Sequence, residues 1–164
     1  MVRPYYIVAA LLLACALSSG QNPAPNPPAP KPTNDYSGMY SFLQEGEFVQ
    51  LTVEDKGNVT GFISRYGDLE SDRGQFLDQF FKEGKLEGKN LSFKTDTVHG
   101  IWFEFKGAVD RGEGKNPGDE AYYLLKGTLL KSMTGANKKT SSTSQEVVFK
   151  SFPRDLVASP GKRD

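Results

Sequence analysis

Three acidic residues, Asp68, Glu70 and Asp72, stand at every second position with Gly74 close behind, the spacing with which a calcium loop wraps a hard cation in oxygen ligands. Two positions work against that chemistry. Arg73 stands where such a loop needs glycine, and Gln79 replaces the closing bidentate carboxylate. The run therefore reads as a solvated acidic loop, and no metal centre is assigned. A second acidic group, Asp110, Glu113, Asp119 and Glu120, flanks the glycine-rich stretch Arg111 to Gly118. Paired carboxylates hydrolyse glycosides when a fixed separation and a cleft of sugar-stacking aromatics hold them, whereas acids in a surface loop ordinarily serve solubility. His99 is the only histidine, which excludes multi-histidine metal sites, and it reads as a turn residue without a task beside Gly100. No serine or cysteine nucleophile stands in a recognisable elbow. With no catalytic residues and no cofactor assigned, the chain is read as non-enzymatic, a hydrolase acting through the loop carboxylates being the weaker alternative.

The residues left for binding are aromatic. Trp102, Phe103, Tyr122 and Tyr123 place rings on both faces of two predicted strands, one set inward and one outward. They are the candidate ligand-binding residues, for a small apolar molecule. Whether the inward set encloses a cavity or fills it depends on packing, since an eight-stranded barrel can do either.

The elements that must position these rings are strands. Glycine recurs at turn-like spacing, and between Thr33 and Phe152 the only proline is Pro117. Residues 36–43, 47–54, 58–66, 90–95, 101–109, 121–131 and 145–152 read as strands. The alternation is plainest in Val49, Leu51 and Val53 and again in Ile101, Phe103 and Phe105. Asp55 to Asn58 is a hairpin turn with Gly57 placed for positive φ, and residues 87–90 and 98–100 are further reversals. Residues 75–88 fit either a short amphipathic helix through Phe76, Leu77, Phe80 and Phe81 or a strand bent at Gly84. The strand is preferred, with a helical turn before it. Residues 132–144, rich in Ser, Thr and Lys, read as a loop. The expectation is an all-β antiparallel up-and-down meander of about eight strands, closed into a small barrel over residues 35–153, with a disordered tail at 154–164.

The first 34 residues are of another kind. Ile7 to Leu17 is an unbroken apolar run of eleven residues after the lone charge Arg3, and six of the twelve residues from Gln21 to Pro32 are proline. This is a signal peptide over 1–20 followed by a Pro-rich linker over 21–34. As a helix the apolar run rises only about 16 Å, roughly half a bilayer core, so no transmembrane span is expected. Two cleavage routes stay open. Small residues at Ala16, Ser18 and Gly20 suit ordinary signal peptidase, and Cys15, the only cysteine, suits lipidation and an anchor in the cell envelope. A single cysteine also rules out an intrachain disulfide. Lys plus Arg equals Asp plus Glu at 20 each, so no basic footprint for nucleic acid exists. An envelope protein is the alternative partner to a small apolar ligand, and the location is periplasmic, envelope or extracellular.

At Gly38-Met39-Tyr40, followed by a strand, a hairpin and Val59-Thr60-Gly61-Phe62, the chain resembles the opening of calycin barrels of the avidin and lipocalin type. Those families begin their first strand with glycine, one residue and an aromatic, usually Trp, where this chain has Tyr40. The resemblance implies a small closed barrel. It does not imply biotin binding, which in avidins uses several tryptophans against the one here, Trp102. The stretches 99–107 and 116–123 further resemble uncharacterised exported β-rich proteins of soil bacteria, which implies a bacterial envelope and no particular activity.

Overall fold

The computed structural model describes residues 35–135 and 137–154. The leader, Cys15, the Pro-rich linker and the tail beyond 154 lie outside the described residues. Eight strands follow one another along the chain: β1 (Gly38–Ser41), β2 (Phe48–Val53), β3 (Val59–Tyr66), β4 (Phe76–Glu87), β5 (Asn90–Thr95), β6 (Ile101–Arg111), β7 (Tyr123–Thr134) and β8 (Thr140–Lys150). Each pairs antiparallel with the next, so the sheet order is the chain order. The sheet curls until its first and last strands meet at a short seam, where Tyr40 bridges Ser151 and the Phe152 N–H donates to Met39 O at 2.8 Å.

The two-residue repeat decides which side chains enter. Val49 and Leu51 of β2, Ile63 of β3, Phe103 and Phe105 of β6, and Leu125 and Leu129 of β7 point inward and are wholly buried. Each such burial contributes about 1.5–3 kcal/mol, set against the entropy of ordering the chain. Tyr40 is buried too, and its hydroxyl donates to Tyr36 O at 2.6 Å.

Turns form where positive φ is tolerated. Lys56 (φ 61) and Gly57 (φ 74) close the β2–β3 hairpin, and His99 (φ 50) with Gly100 (φ 79) reverses the chain between β5 and β6. Gly84 is required for closeness rather than for bending, since a Cβ there would sit 2.2 Å from Val59 O.

Two expectations are corrected. Residues 76–87 form one continuous strand, as preferred, with a single 3-10 turn, Glu70–Asp72, ahead of it, but its irregularity falls between Phe81 and Glu83 instead of at Gly84. The inward positions Gln79 and Phe81 explain this, because a helix would tear both from the barrel interior. Residues 132–144 are not a loop, for β7 runs on to Thr134 and β8 starts at Thr140. Hydroxyl pairs take the place of apolar ones across that hairpin, Ser132 with Ser142 at 2.8 Å and Thr134 with Thr140 at 3.3 Å.

Candidate functional site

The barrel interior is filled by its own rings. Phe81 stacks on Phe93 at 4.3 Å between centroids, Phe93 on Phe105 at 5.2 Å, and the chain continues through Phe149, Phe42 and Phe103 at 5.9, 5.2 and 5.4 Å. Phe103, one of the candidate binding residues, is therefore a core side chain. Against its face lies the guanidinium of Arg65, 5.2 Å from the centroid.

Arg65 is only 2 % exposed, and Gln79 is fully buried beside it. The Arg65 Nε–H donates to Gln79 Oε1 at 2.6 Å, and Nη1 donates to Tyr66 O at 2.9 Å and to Asp68. Gln79 Nε2 donates to Ile101 O at 2.9 Å and to Asp96 O at 3.1 Å. Parity places Arg65 inward, two residues after Ile63, so the charge enters the barrel by the alternation that carries the apolar residues in. The acidic loop between β3 and β4 then serves this end of the barrel. Asp68 pairs with Arg65 and Lys131, Asp72 pairs with His99, and Glu70 pairs with Arg73 on the surface. The three carboxylates of the calcium-like spacing thus point at separate partners. Among the described residues no group of three acidic, His or Cys side chains gathers around one point. His99 corrects the expectation of a turn residue without a task, since its Nδ1 lies 2.7 Å from Asp72 Oδ2. The bond from His99 holds the Asp72 carboxyl below its usual range despite its burial.

Two members of the second acidic group, Asp110 and Asp119, are also occupied structurally. Asp119 accepts the N–H of Asn116 at 2.8 Å and of Lys115 at 2.9 Å, which lowers its pKa, and Asp110 faces Lys126 at 3.4 Å.

The open concavity is on the outside of the seam. A groove of about 550 Å³ runs along it, lined by Met39, Phe48, Tyr122, Tyr123 and Phe152, with Gln50, Asp119 and Arg154 as its polar groups. Outward parity on β1 and β2 supplies Met39, Phe48 and Gln50, and the chain leaving β8 supplies Phe152 and Arg154. Tyr122 and Tyr123 meet edge to face at 4.7 Å, Tyr123 meets Tyr36 at 4.9 Å, and the Arg111 guanidinium carbon lies 3.3 Å from the Tyr122 ring centroid. Burial raises the pKa of Tyr123 and, more strongly, of Tyr40, so both are neutral phenols at ordinary pH. Arg154 is itself held, donating to Asp35 O at 3.0 Å and Ser37 O at 3.3 Å.

Of the four candidate rings, Tyr122 and Tyr123 therefore share one groove, and Phe103 lies in the core. Trp102 faces outward on β6, where its Nε1–H donates to Glu104 Oε1 at 3.3 Å. Sequence reading missed Met39, Phe48, Phe152 and Arg154. For the first two the signal was present as the outward positions of alternating strands. For the last two there was none, because they enter the groove only through closure.

Outside the barrel a ladder of rings crosses β2 to β4: Phe48 to Phe62 at 5.9 Å, Phe62 to Phe80 at 5.4 Å, and Tyr66 to Phe76 at 4.4 Å. Phe80 is 59 % exposed. Among the described residues no helix is long and apolar enough to cross a membrane.

No protein-family model matches the chain. No curated protein matches it. Solved structures do. Intact afifavidin in its apo form aligns with a TM-score of 0.53 at 13% identity, over 77% of this chain and 88% of that one. Rhizavidin gives 0.52 at 13%, over 76% and 88%, and a rhizavidin–biotin complex gives 0.51 at 13%, over 70% and 98%. A likeness at that identity is one of fold, and the fold is the calycin-like antiparallel meander of avidin-type barrels.

Proposed function

We propose that the protein is an exported, non-enzymatic binding barrel whose small apolar ligand lies in the groove outside the seam and not in the barrel interior. The observation that carries this reading is the contrast between the two spaces. The interior is occupied by stacked phenylalanines, whereas the groove of about 550 Å³ is bounded by seven apolar or aromatic residues, Tyr40 and Pro153 among them, and a few polar groups. That size and composition suit a ring-bearing molecule with one or two polar substituents, which Arg154, Asp119 and Gln50 would orient. The fold neighbour solved with biotin supports small-ligand binding by this architecture. The non-enzymatic reading is supported by Asp68, Asp72, Asp110, Asp119 and His99 each being engaged in ion pairs or hydrogen bonds.

Thermal-shift screening against lipids, haem and aromatic metabolites tests the reading. A ligand should raise the unfolding temperature of the native chain and of Trp102→Ala, and fail with Phe152→Ala and Tyr122→Ala. A ligand whose effect survives both groove variants would overturn it.

The ring ladder on β2 to β4 favours a second reading, an envelope-tethered interaction module that binds an envelope protein and is anchored through Cys15. Mass spectrometry of the mature N-terminus separates the two. A diacylglyceryl Cys15 supports tethering, and a free chain beginning at Ser19 or Gln21 removes the anchor.

A further inference from the structure

The long outer edge of β8 is unpaired over most of its length among the described residues. The β7–β8 ladder is continuous from Leu124↔Lys150 to Thr134↔Thr140, with no shift of register. The Ser151 N–H donates to Tyr123 O at 2.9 Å, so the odd-numbered residues of β8 turn their peptide groups toward β7. The Lys150 N–H turns the other way and reaches Ser41 Oγ at 2.9 Å. By the same alternation the N–H and C=O groups of Val148, Glu146, Ser144, Ser142 and Thr140 face away from β7. β1 does not reach them. It is four residues long and meets the last strand at Ser151. Among the described residues, no strand other than β7 pairs with Thr140 to Phe149.

An edge of this length is ordinarily blunted by lysine, proline or a bulge. Thr140 to Val148 has no lysine and no proline, and its only charge is Glu146. Thr140 to Glu146 are exposed on both faces, so this end of the hairpin projects from the barrel and a second strand meets no steric barrier.

We infer that β8 pairs antiparallel with β8 of a second copy of this chain, joining two barrels through one continuous sheet. The sequence of the edge is suited to itself. The run Thr140 to Gln145 is uncharged, so two copies meet without like charges opposed. Facing residues must both turn toward the shared edge, and a register centred on Ser142 satisfies this. It also brings Glu146 of each copy to the turn that carries Lys138 and Lys139 of the other. Thr140, Ser142 and Ser144 of the two copies then exchange about six backbone hydrogen bonds.

The test is the mass of the exported chain by sedimentation velocity, over a hundredfold concentration range reaching about 100 µM. The native chain should pass from monomer to dimer. Ser144→Pro removes one open-edge N–H and no bond to β7, so it should raise the dimer Kd at least about tenfold while near-UV circular dichroism stays native. Should that variant misfold, charge reversal decides. Glu146→Lys alone should weaken self-association about tenfold, and mixing it with a Lys138→Glu/Lys139→Glu chain should restore dimers. A native chain that stays monomeric throughout would falsify the inference. So would a dimer that neither Ser144→Pro nor Glu146→Lys weakens.

Discussion

His99 Nδ1 sits 2.7 Å from Asp72 Oδ2, tying the β5–β6 turn to the acidic loop between β3 and β4. Asp68 of the same loop reaches Arg65 and Lys131. The loop is thereby pinned over one end of the barrel by Arg65 of β3, His99 of the β5–β6 turn and Lys131 of β7.

Asp72 in this loop, together with three carboxyls elsewhere in the domain, gives its stability an acid limit. Glu54, Asp72, Glu104 and Asp119 all have lowered pKa values in the folded chain, through hydrogen bonds from Asn58, His99, Lys94 and Asn116 respectively. A carboxyl with a lowered folded pKa binds fewer protons folded than unfolded. Its contribution is present above about pH 4 and is lost as pH falls through the folded values. Thermal unfolding from about pH 6 to pH 3 should show a steep loss of Tm below about pH 4. Asp72→Asn should start lower and fall less steeply, and an unchanged slope would contradict the role of the His99 contact.

Gln79→Leu should be among the costly substitutions. It removes the acceptor of the Arg65 Nε–H and the donor to Ile101 O, both buried. A cost of about 3 kcal/mol is expected, read as a lower urea midpoint with an unchanged m-value. A change below about 1 kcal/mol would mean that water replaces the amide.

Gly84→Ala tests the close approach of β3 and β4. The added methyl would lie 2.2 Å from Val59 O and 3.0 Å from Val59 Cβ. Backbone must move to admit it, and a loss of about 2–4 kcal/mol is expected, against about 1 kcal/mol for Gly88→Ser, where space is open and the positive φ of 64 is the cost.

The filled interior makes a prediction in the opposite sense. Phe105 is fully buried between Phe93 and Phe149. Phe105→Ala should cost about 3–5 kcal/mol and leave an apolar cavity that takes up benzene or xenon, which the native chain does not. Binding by both chains alike would mean that the native interior already yields.

The parts of this fold that were legible in the sequence are those written in short-range alternation. β5 was read at its observed bounds, Asn90 to Thr95, because Leu91 and Phe93 alternate with Ser92 and Lys94 between two clear reversals. The β7–β8 hairpin was missed because Ser132, Ser142, Thr134 and Thr140 pair by hydroxyls, and a Ser/Thr-rich run carries no apolar period. Arg65 was passed over for a related reason: its parity with Ile63 puts it inside, but charge argues for the surface until Gln79, Asp68 and the Phe103 face are known to meet it. The groove was least legible. It arises where Tyr40 meets Ser151, and no local pattern reports a contact between residues so distant in the chain.

The meeting of Arg154 with Asp35 bears on how this chain can be rebuilt. The Arg154 Nη2 group donates to Asp35 O at 3.0 Å, so the two ends of the described domain lie within one side chain of each other. A short Gly/Ser joint between them would turn the domain into a ring, and the exposed turn at Gly88 and Lys89 could then be opened to make new ends. Such a permuted chain would hold the seam shut covalently, leaving the groove framed as before while β1 could no longer peel from the barrel.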